Sequence, residues 1–261
     1  LTDASKAQVE DLGNDISDEG MVLLKNQGGA LPLAKGSAIN VWAGSTNPIY
    51  GGTGSGSLSK DNPTTTLLDG LHNAGFTTND ELTNLYTAYR AERPEVGMFK
   101  ADWSLPEPTQ DKYSDDLLSN ATAFGDTAVV TIARSGGEGF DLPRNVNQEM
   151  ADNPYFSYTN NSEEYADFED GQGYLELTRP EKDMIELAKK TSTKTVVVIN
   201  AANAFQLGDL QDDRRSMRSC GRSPAARWLQ RAGPHPGRRG EPSAKTPDTF
   251  ARDIKAGPAA N

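Results

Sequence analysis

The sequence predicts an α/β layer fold built on a mostly parallel sheet. Two runs carry that expectation: Val129-Val-Thr-Ile-Ala133 and Val196-Val-Val-Ile199 are short, β-branched and bounded by charged or turn residues, as strands buried on both faces are. A third observation is their alternation with helical segments. Thr178-Arg-Pro-Glu181 opens one of these as a capping box, with Thr178 placed to accept from the amide three residues on and Glu181 placed to reach back. With 261 residues there is enough chain to bury a real core.

In chain order, residues 3–25 read as a helix. Asp3 can cap it, and Ala7, Leu12 and Ile16 recur at helical spacing up to Val22-Leu-Leu24. Residues 26–33 are a turn and an extended run. Ile39-Asn-Val-Trp-Ala43 alternates and reads as the first sheet strand, with Trp42 in the core. The glycine-rich loop Gly51-Gly-Thr-Gly-Ser-Gly56 follows. Residues 66–73 form a short helix with His72 on its surface, and residues 81–93 a second helix. The polar, proline-containing stretch 94–115 reads as loop, and 116–123 as helix feeding the strand 128–133. Arg134-Ser-Gly-Gly-Glu-Gly-Phe-Asp-Leu-Pro143 comes next. The region 144–173 is rich in Asn, Asp, Glu and Tyr, has no period, and is too long for an ordinary connection, so it is a functional loop or an insertion. A helix from 178 to 190 and the strand 195–199 complete the pattern. Active groups in such folds sit beyond the carboxyl ends of strands, and Glu138 lies in a loop of that kind.

Composition narrows the function. The net charge of −11 argues against a nucleic-acid partner. No apolar stretch approaches the ~20 residues that span a bilayer, and no basic-then-apolar leader opens the sequence at Leu1. The single cysteine, Cys220, excludes an intrachain disulfide, and His72 and His235 show no metal-ligand spacing. Neither a cofactor nor a metal is called for.

Residues 214–239 break the pattern: they hold eight arginines (214, 215, 218, 222, 227, 231, 238 and 239) and no acid, in an otherwise acidic chain. One reading is a basic tail or nucleic-acid patch. The preferred reading is that residues 214–245 are a mistranslated segment, the product of frameshifts in the gene. Trp228-Leu-Gln-Arg-Ala-Gly-Pro-His-Pro-Gly-Arg-Arg-Gly-Glu-Pro242 has codon choices that, read from the second base, give Gly-Phe-Asn-Ala-Leu-Gly-Arg-Ile-Leu-Ala-Gly-Glu-Val-Asn-Pro, an amphipathic helix and a turn. Ser216-Met-Arg-Ser-Cys-Gly221, shifted the other way, gives Val-Asp-Ala-Ile-Leu-Trp, a buried strand. As written, the block supports neither a helical nor a strand period, so it is expected to be irregular.

Five pieces in order carry a family resemblance. Glu19-Gly-Met-Val-Leu-Leu-Lys-Asn26 with Leu31-Pro-Leu33, the loop Gly51–Gly56, Ser135-Gly-Gly-Glu-Gly-Phe-Asp141, Tyr174-Leu-Glu-Leu-Thr178 and Lys194-Thr-Val-Val-Val-Ile-Asn200 together resemble the second domain of family 3 glycoside hydrolases of the β-glucosidase type. The two shifted readings add a strand ending in tryptophan and a helix followed by Gly-Glu-Val-Asn-Pro. The resemblance implies a six-stranded, mostly parallel sheet sandwiched between helices, its last third disrupted by the shifted frame. It makes residues 1–261 a single α/β-sandwich domain of a larger glycosidase. The family's (β/α)8 barrel, which supplies the nucleophilic aspartate and most sugar-binding groups, is not encoded here.

The same resemblance implies a retaining β-glucosidase that removes terminal β-D-glucosyl residues from a β-glucoside or oligosaccharide. Retaining enzymes use two carboxyl groups ~5–5.5 Å apart, one attacking carbon and the other passing a proton to the leaving oxygen and taking one from water. Glu138 matches the acid/base. Its neighbours Gly136, Gly137 and Gly139 allow close backbone approach, whereas the local sequence alone would suit a solvated surface carboxylate. Ser55 matches a hydroxyl that hydrogen-bonds the deepest sugar. A dinucleotide fingerprint there fails, because Ser57 stands where a third glycine is required. Trp103 sits where related enzymes place a tryptophan that stacks on the sugar beyond the cleaved bond; the alternative is a core tryptophan. Against the glycosidase stand a non-catalytic carbohydrate-binding domain and a nucleic-acid binder using the arginine block. The intact Glu138 loop favours the glycosidase, which expects the barrel as partner and no nucleic acid or membrane, while the 261-residue chain alone is expected to be inactive.

Overall fold

The structure, a computed structural model, describes residues 2–26, 29–42, 66–89, 96–97, 100–134, 136, 141–201, 203–212, 216–220, 246 and 250. In chain order the elements are α1 (Asp3–Gly20), β1 (Val22–Lys25), β2 (Ala38–Trp42), α2 (Leu67–Asn73), β3 (Thr77–Thr78), α3 (Asp80–Tyr89), β4 (Val96–Gly97), β5 (Lys100–Asp102), α4 (Asp115–Phe124), β6 (Thr127–Arg134), α5 (Val146–Asp152), β7 (Phe156–Ser157), α6 (Arg179–Thr191), β8 (Lys194–Ala201), α7 (Asp209–Asp212) and β9 (Ser216–Cys220). A single turn of 3-10 helix, Gln110–Lys112, precedes α4.

The main sheet has six strands in the order β1-β9-β8-β6-β2-β3. All neighbours are parallel except β1, which runs antiparallel to β9. The expected α/β sandwich is therefore observed. The centre is β6 against β8 in register over eight residue pairs, from Thr127–Lys194 to Arg134–Ala201. Because successive side chains point to opposite faces, these apolar runs feed two cores. Val129, Val196, Val198, Ile39 and Val41 meet Leu67 and Leu71 of α2 on one face. Val130, Ile132, Val197, Ile199 and Trp42 meet Leu82 and Tyr86 of α3, Ala121 of α4 and Met184, Ile185 and Ala188 of α6 on the other. Each such aliphatic side chain contributes roughly 1.5–3 kcal/mol on burial. One polar group crosses this core: Asn40 of β2 donates to the Ala121 carbonyl at 2.8 Å and accepts from Asn79 at 2.9 Å, tying β2 to α4 and the start of α3.

The expected capping box of α6 is formed. Glu181 N–H donates to Thr178 Oγ1 at 3.3 Å, and Thr178 N–H donates to the Glu181 carboxylate at 2.9 Å. His72 is exposed on α2 and shares a 2.7 Å hydrogen bond with Thr78, in keeping with a surface side chain.

Three expectations are corrected. The helix read over 3–25 ends at Gly20; Met21 turns extended (φ −79°, ψ 138°), and Val22-Leu-Leu-Lys25 becomes a strand by pairing with β9. The stretch 94–115 is not all loop, since β4 and β5 pair there and β7 extends them into a small three-stranded sheet. Within the segment expected to be irregular, residues 216–220 form β9, an interior strand between β8 and β1. Residues 221–245 lie outside the described residues, as do 90–93 of the expected helix 81–93.

The long region 144–173 folds back on itself. Its neck is closed by Val146 N–H to the Gln172 carbonyl at 2.9 Å and Tyr174 N–H to the Pro143 carbonyl at 2.9 Å. At Gly173 a β-carbon would stand 3.1 Å from the Arg144 carbonyl oxygen, so the two sides of the neck meet backbone to backbone. Beyond the neck, α5 and β7 share with β5 a third core of Trp103, Leu105, Val146, Phe168 and Tyr174.

Candidate active site

Strands β2, β6 and β8 are adjacent and parallel, so their carboxyl ends, Trp42, Arg134 and Ala201, form one edge of the sheet. In parallel sheets this edge is where binding loops gather. The sequence continues from it into the segment bearing Ser55 after β2 and the segment bearing Glu138 after β6. Ser55 and Glu138 lie outside the described residues. The structure describes what holds the ends of the Glu138 segment.

That frame is centred on Arg134, the last residue of β6, whose side chain is 1% exposed. Its guanidinium uses every N–H it has. Nε donates to the Tyr174 carbonyl at 2.7 Å; one terminal nitrogen donates to Glu181 Oε1 at 2.6 Å and to its own neighbour's Ala133 carbonyl at 3.0 Å. The other donates to Glu181 Oε2 at 2.6 Å and the Glu176 carbonyl at 2.7 Å. The arginine–carboxylate contact is thus a bidentate fork. The rings of Tyr174 and Phe205 lie 5.5 and 5.2 Å from the guanidinium carbon, within cation–π reach. Burial alone would lower the Arg134 pKa, but the charge and hydrogen bonds of Glu181 outweigh it and hold the guanidinium charged.

Tyr174 links both ends of the segment. Its carbonyl accepts from Arg134, immediately before residue 135, and its N–H donates to the Pro143 carbonyl just after residue 142. Gly136 is buried, and a β-carbon there would stand 2.5 Å from Asn203 Oδ1, so the backbone comes against the chain that follows β8. Charge-assisted and main-chain bonds thus fix both ends of the segment.

Trp103 is 1% exposed in this structure, edge-to-face with Tyr174 (4.9 Å between centroids) and Phe156 (6.0 Å) in the third core. This is the core alternative that the sequence left open. A second polar cluster braces the same lobe. Buried Asp167 accepts from the Tyr158 hydroxyl at 2.8 Å and the Asn161 side chain at 2.6 Å, while Asn161 also donates to the Leu105 carbonyl at 2.8 Å and accepts from Glu107 N–H at 2.9 Å. Burial raises the Asp167 pKa against the opposing hydrogen bonds from Tyr158 and Asn161. Burial, with the adjoining Asp167 charge, pushes the Tyr158 phenol up and keeps it a donor.

A cavity of about 620 Å³ lined by Gly125, Asp126, Lys190, Ser192 and Thr193, among others, lies at the amino ends of β6 and β8, the edge opposite Arg134. Its lining stands at the amino ends of the strands, apart from the carboxyl edge of the sheet. Among the described residues there is no group of three or more His, Cys, Asp or Glu side chains able to hold a metal ion. Sequence reasoning missed Arg134 and saw Glu181 only as a helix cap. The one available signal was an arginine ending an otherwise apolar strand.

The sequence model described as the glycosyl hydrolase family 3 C-terminal domain matches residues 21–217. β-Glucosidase A of Butyrivibrio fibrisolvens is 30% identical over 205 residues, and a β-glucosidase of Ruminococcus albus is 28% identical over 253 residues. These alignments take in 76% and 92% of this chain but 23% of each relative, so the chain spans about a quarter of their length. Among solved structures, a β-glucosidase from Paenibacillus barengoltzii superposes with a TM-score of 0.67 at 22% identity, over 95% of this chain and 25% of that one. β-Glucosidase 3B from Thermotoga neapolitana, in complex with α-D-glucose, gives 0.58 at 21% identity, over 87% and 28%.

Proposed function

Because this chain belongs to the family of the glycosyl hydrolase family 3 C-terminal domain, we propose that it is the acid/base-bearing part of a retaining β-glucosidase acting on terminal β-D-glucosyl residues. The observation that carries this reading is the frame around residues 135–142. The segment containing Glu138 leaves the carboxyl edge of a parallel sheet and is held at both ends through Arg134 and Tyr174.

In this reading Glu138 protonates the leaving oxygen and then takes a proton from the water that attacks the glycosyl-enzyme. A nucleophilic carboxylate ~5–5.5 Å away attacks the anomeric carbon. Glu138 must start protonated, a state favoured by a dry site and by a second carboxylate nearby. Ser55, on the segment after the adjacent strand β2, supplies a hydroxyl to the sugar in the deepest subsite. Trp103 serves the site from behind, by filling the core of the lobe that Tyr174 joins.

The nucleophile belongs to a (β/α)8 barrel of the same enzyme. Two observations support such a partner: the relatives are about four times longer than the matched region, and α1 carries Val9, Leu12 and Ile16 at helical spacing, each 59–62% exposed. An apolar stripe of this kind is suited to cover by another body. The reading expects no nitrophenol release from an aryl β-glucoside by the 261-residue chain alone, because an isolated general acid supplies only ~10²–10⁴-fold. Turnover by the chain alone at rates typical of enzymes would refute the division of labour.

A further inference from the structure

We infer that Arg134 is a positioning residue for the acid/base glutamate, setting the spacing between the two ends of the segment that carries it. This rests on the reading of Glu138 given above. The bidentate fork neutralises Glu181 with two N–H groups and leaves three buried donors that need acceptors of their own. Those three go to the main-chain carbonyls of Ala133, Glu176 and Tyr174. The Tyr174 peptide is the informative one: its carbonyl faces Arg134, on the upstream side of residues 135–142, and its N–H holds the Pro143 carbonyl on the downstream side. One guanidinium therefore ties strand β6, the neck of the 144–173 lobe and the N-terminus of α6 together, within four residues of Glu138.

The chemistry wants this fork to be an arginine. A lysine has three donors on one nitrogen and cannot span a carboxylate and three carbonyls in a plane. The pairing with Glu181 also matters. An unpaired cation close to an acid that must begin protonated would favour its ionised form, whereas the Arg134–Glu181 pair carries no net charge.

The test is made in the intact enzyme with Arg134→Lys and the double variant Arg134→Met/Glu181→Met, which removes both charges and leaves no lone buried ion. For each folded variant, kcat/KM is measured on aryl β-glucosides whose leaving groups run from dinitrophenol to phenol, with Glu138→Ala in parallel. A misplaced general acid slows only the substrates that need a proton. The inference expects the phenyl glucoside to lose about 10²-fold while the dinitrophenyl glucoside stays within about threefold of wild type. Arg134→Lys reads the same quantity if the double variant does not fold, and is expected to show a smaller loss of the same selectivity. An equal loss across all leaving groups, as a shortage of folded enzyme would give, overturns the inference, and so does an unchanged profile in both variants. If Glu138→Ala itself shows no leaving-group dependence beyond wild type, the acid/base reading fails and the positioning role falls with it.

Discussion

Replacing Arg134 by methionine leaves Glu181 with its side chain 1% exposed and without its counter-charge. The variant also loses the bonds to the Ala133, Tyr174 and Glu176 carbonyls. Breaking a buried pair from one side costs ~3–5 kcal/mol, mostly the expense of a stranded charge. At roughly 2–4 °C per kcal/mol for a domain of this size, the midpoint of thermal unfolding should fall by about 6–20 °C. Adding Glu181→Met removes the stranded charge, and an apolar pair of similar volume is often neutral or better. Against that gain stands the lost bond from Thr178 N–H, worth about 1 kcal/mol as a helix cap. The double variant should therefore recover at least half of the loss. Circular dichroism at 222 nm during heating at neutral pH measures both. A single variant that shifts by less than about 3 °C, or a double variant as unstable as the single, would refute the account of a desolvated ion pair.

Two further outcomes follow from other parts of the molecule. Asp167 has a folded-state pKa raised above the ordinary value of 3.8, chiefly by burial. Its contribution to stability is then complete below that value and declines as pH rises through the folded pKa. Unfolding free energies of wild type minus Asp167→Asn should fall as pH rises from below 3.8 towards neutrality; a difference that grows with pH would contradict this. The frame assignment for 214–245 expects peptides of the native protein to contain Val-Asp-Ala-Ile-Leu-Trp in place of Ser216–Gly221, and mass spectrometry finding the written arginine-rich peptides would remove it.

The parts of the fold legible in the sequence were those whose signal is local. β6 and β8 announce themselves as uninterrupted β-branched runs because both faces are covered, and the Thr178–Glu181 box marks the start of α6 within four residues. β1 reads in sequence as a continuation of helix because Val22-Leu-Leu fits either period. It becomes a strand only by pairing with β9, far along the chain at Ser216–Cys220. β4, β5 and β7 are two or three residues long, too short to show alternation, and exist because they pair with one another. The same physics governs the site. Glycines around Glu138 could be read from a few letters, but the Arg134–Glu181 fork joins residues 47 apart, and the Tyr174 peptide acts through main-chain atoms that any residue possesses. Trp103 illustrates the converse: a lone tryptophan in a polar stretch suits a sugar or a core, and only the meeting of 94–115 with the lobe 144–173 and its neck shows the ring covered by Phe156 and Tyr174.

The assignment of Glu138 is tested most directly by chemical rescue in the intact enzyme. A dinitrophenyl glucoside barely needs acid assistance to form the glycosyl-enzyme, but its hydrolysis needs a base to activate water. Glu138→Ala should therefore accumulate the intermediate, and azide, which needs no general base, should restore turnover from the space the side chain vacates. Two inversions retain configuration, so the product should be the β-glucosyl azide, while cellobiose, with its poor leaving group, should not recover. An α-glucosyl azide would make Glu138 the nucleophile, and wild-type turnover without any azide effect would make it a surface carboxylate.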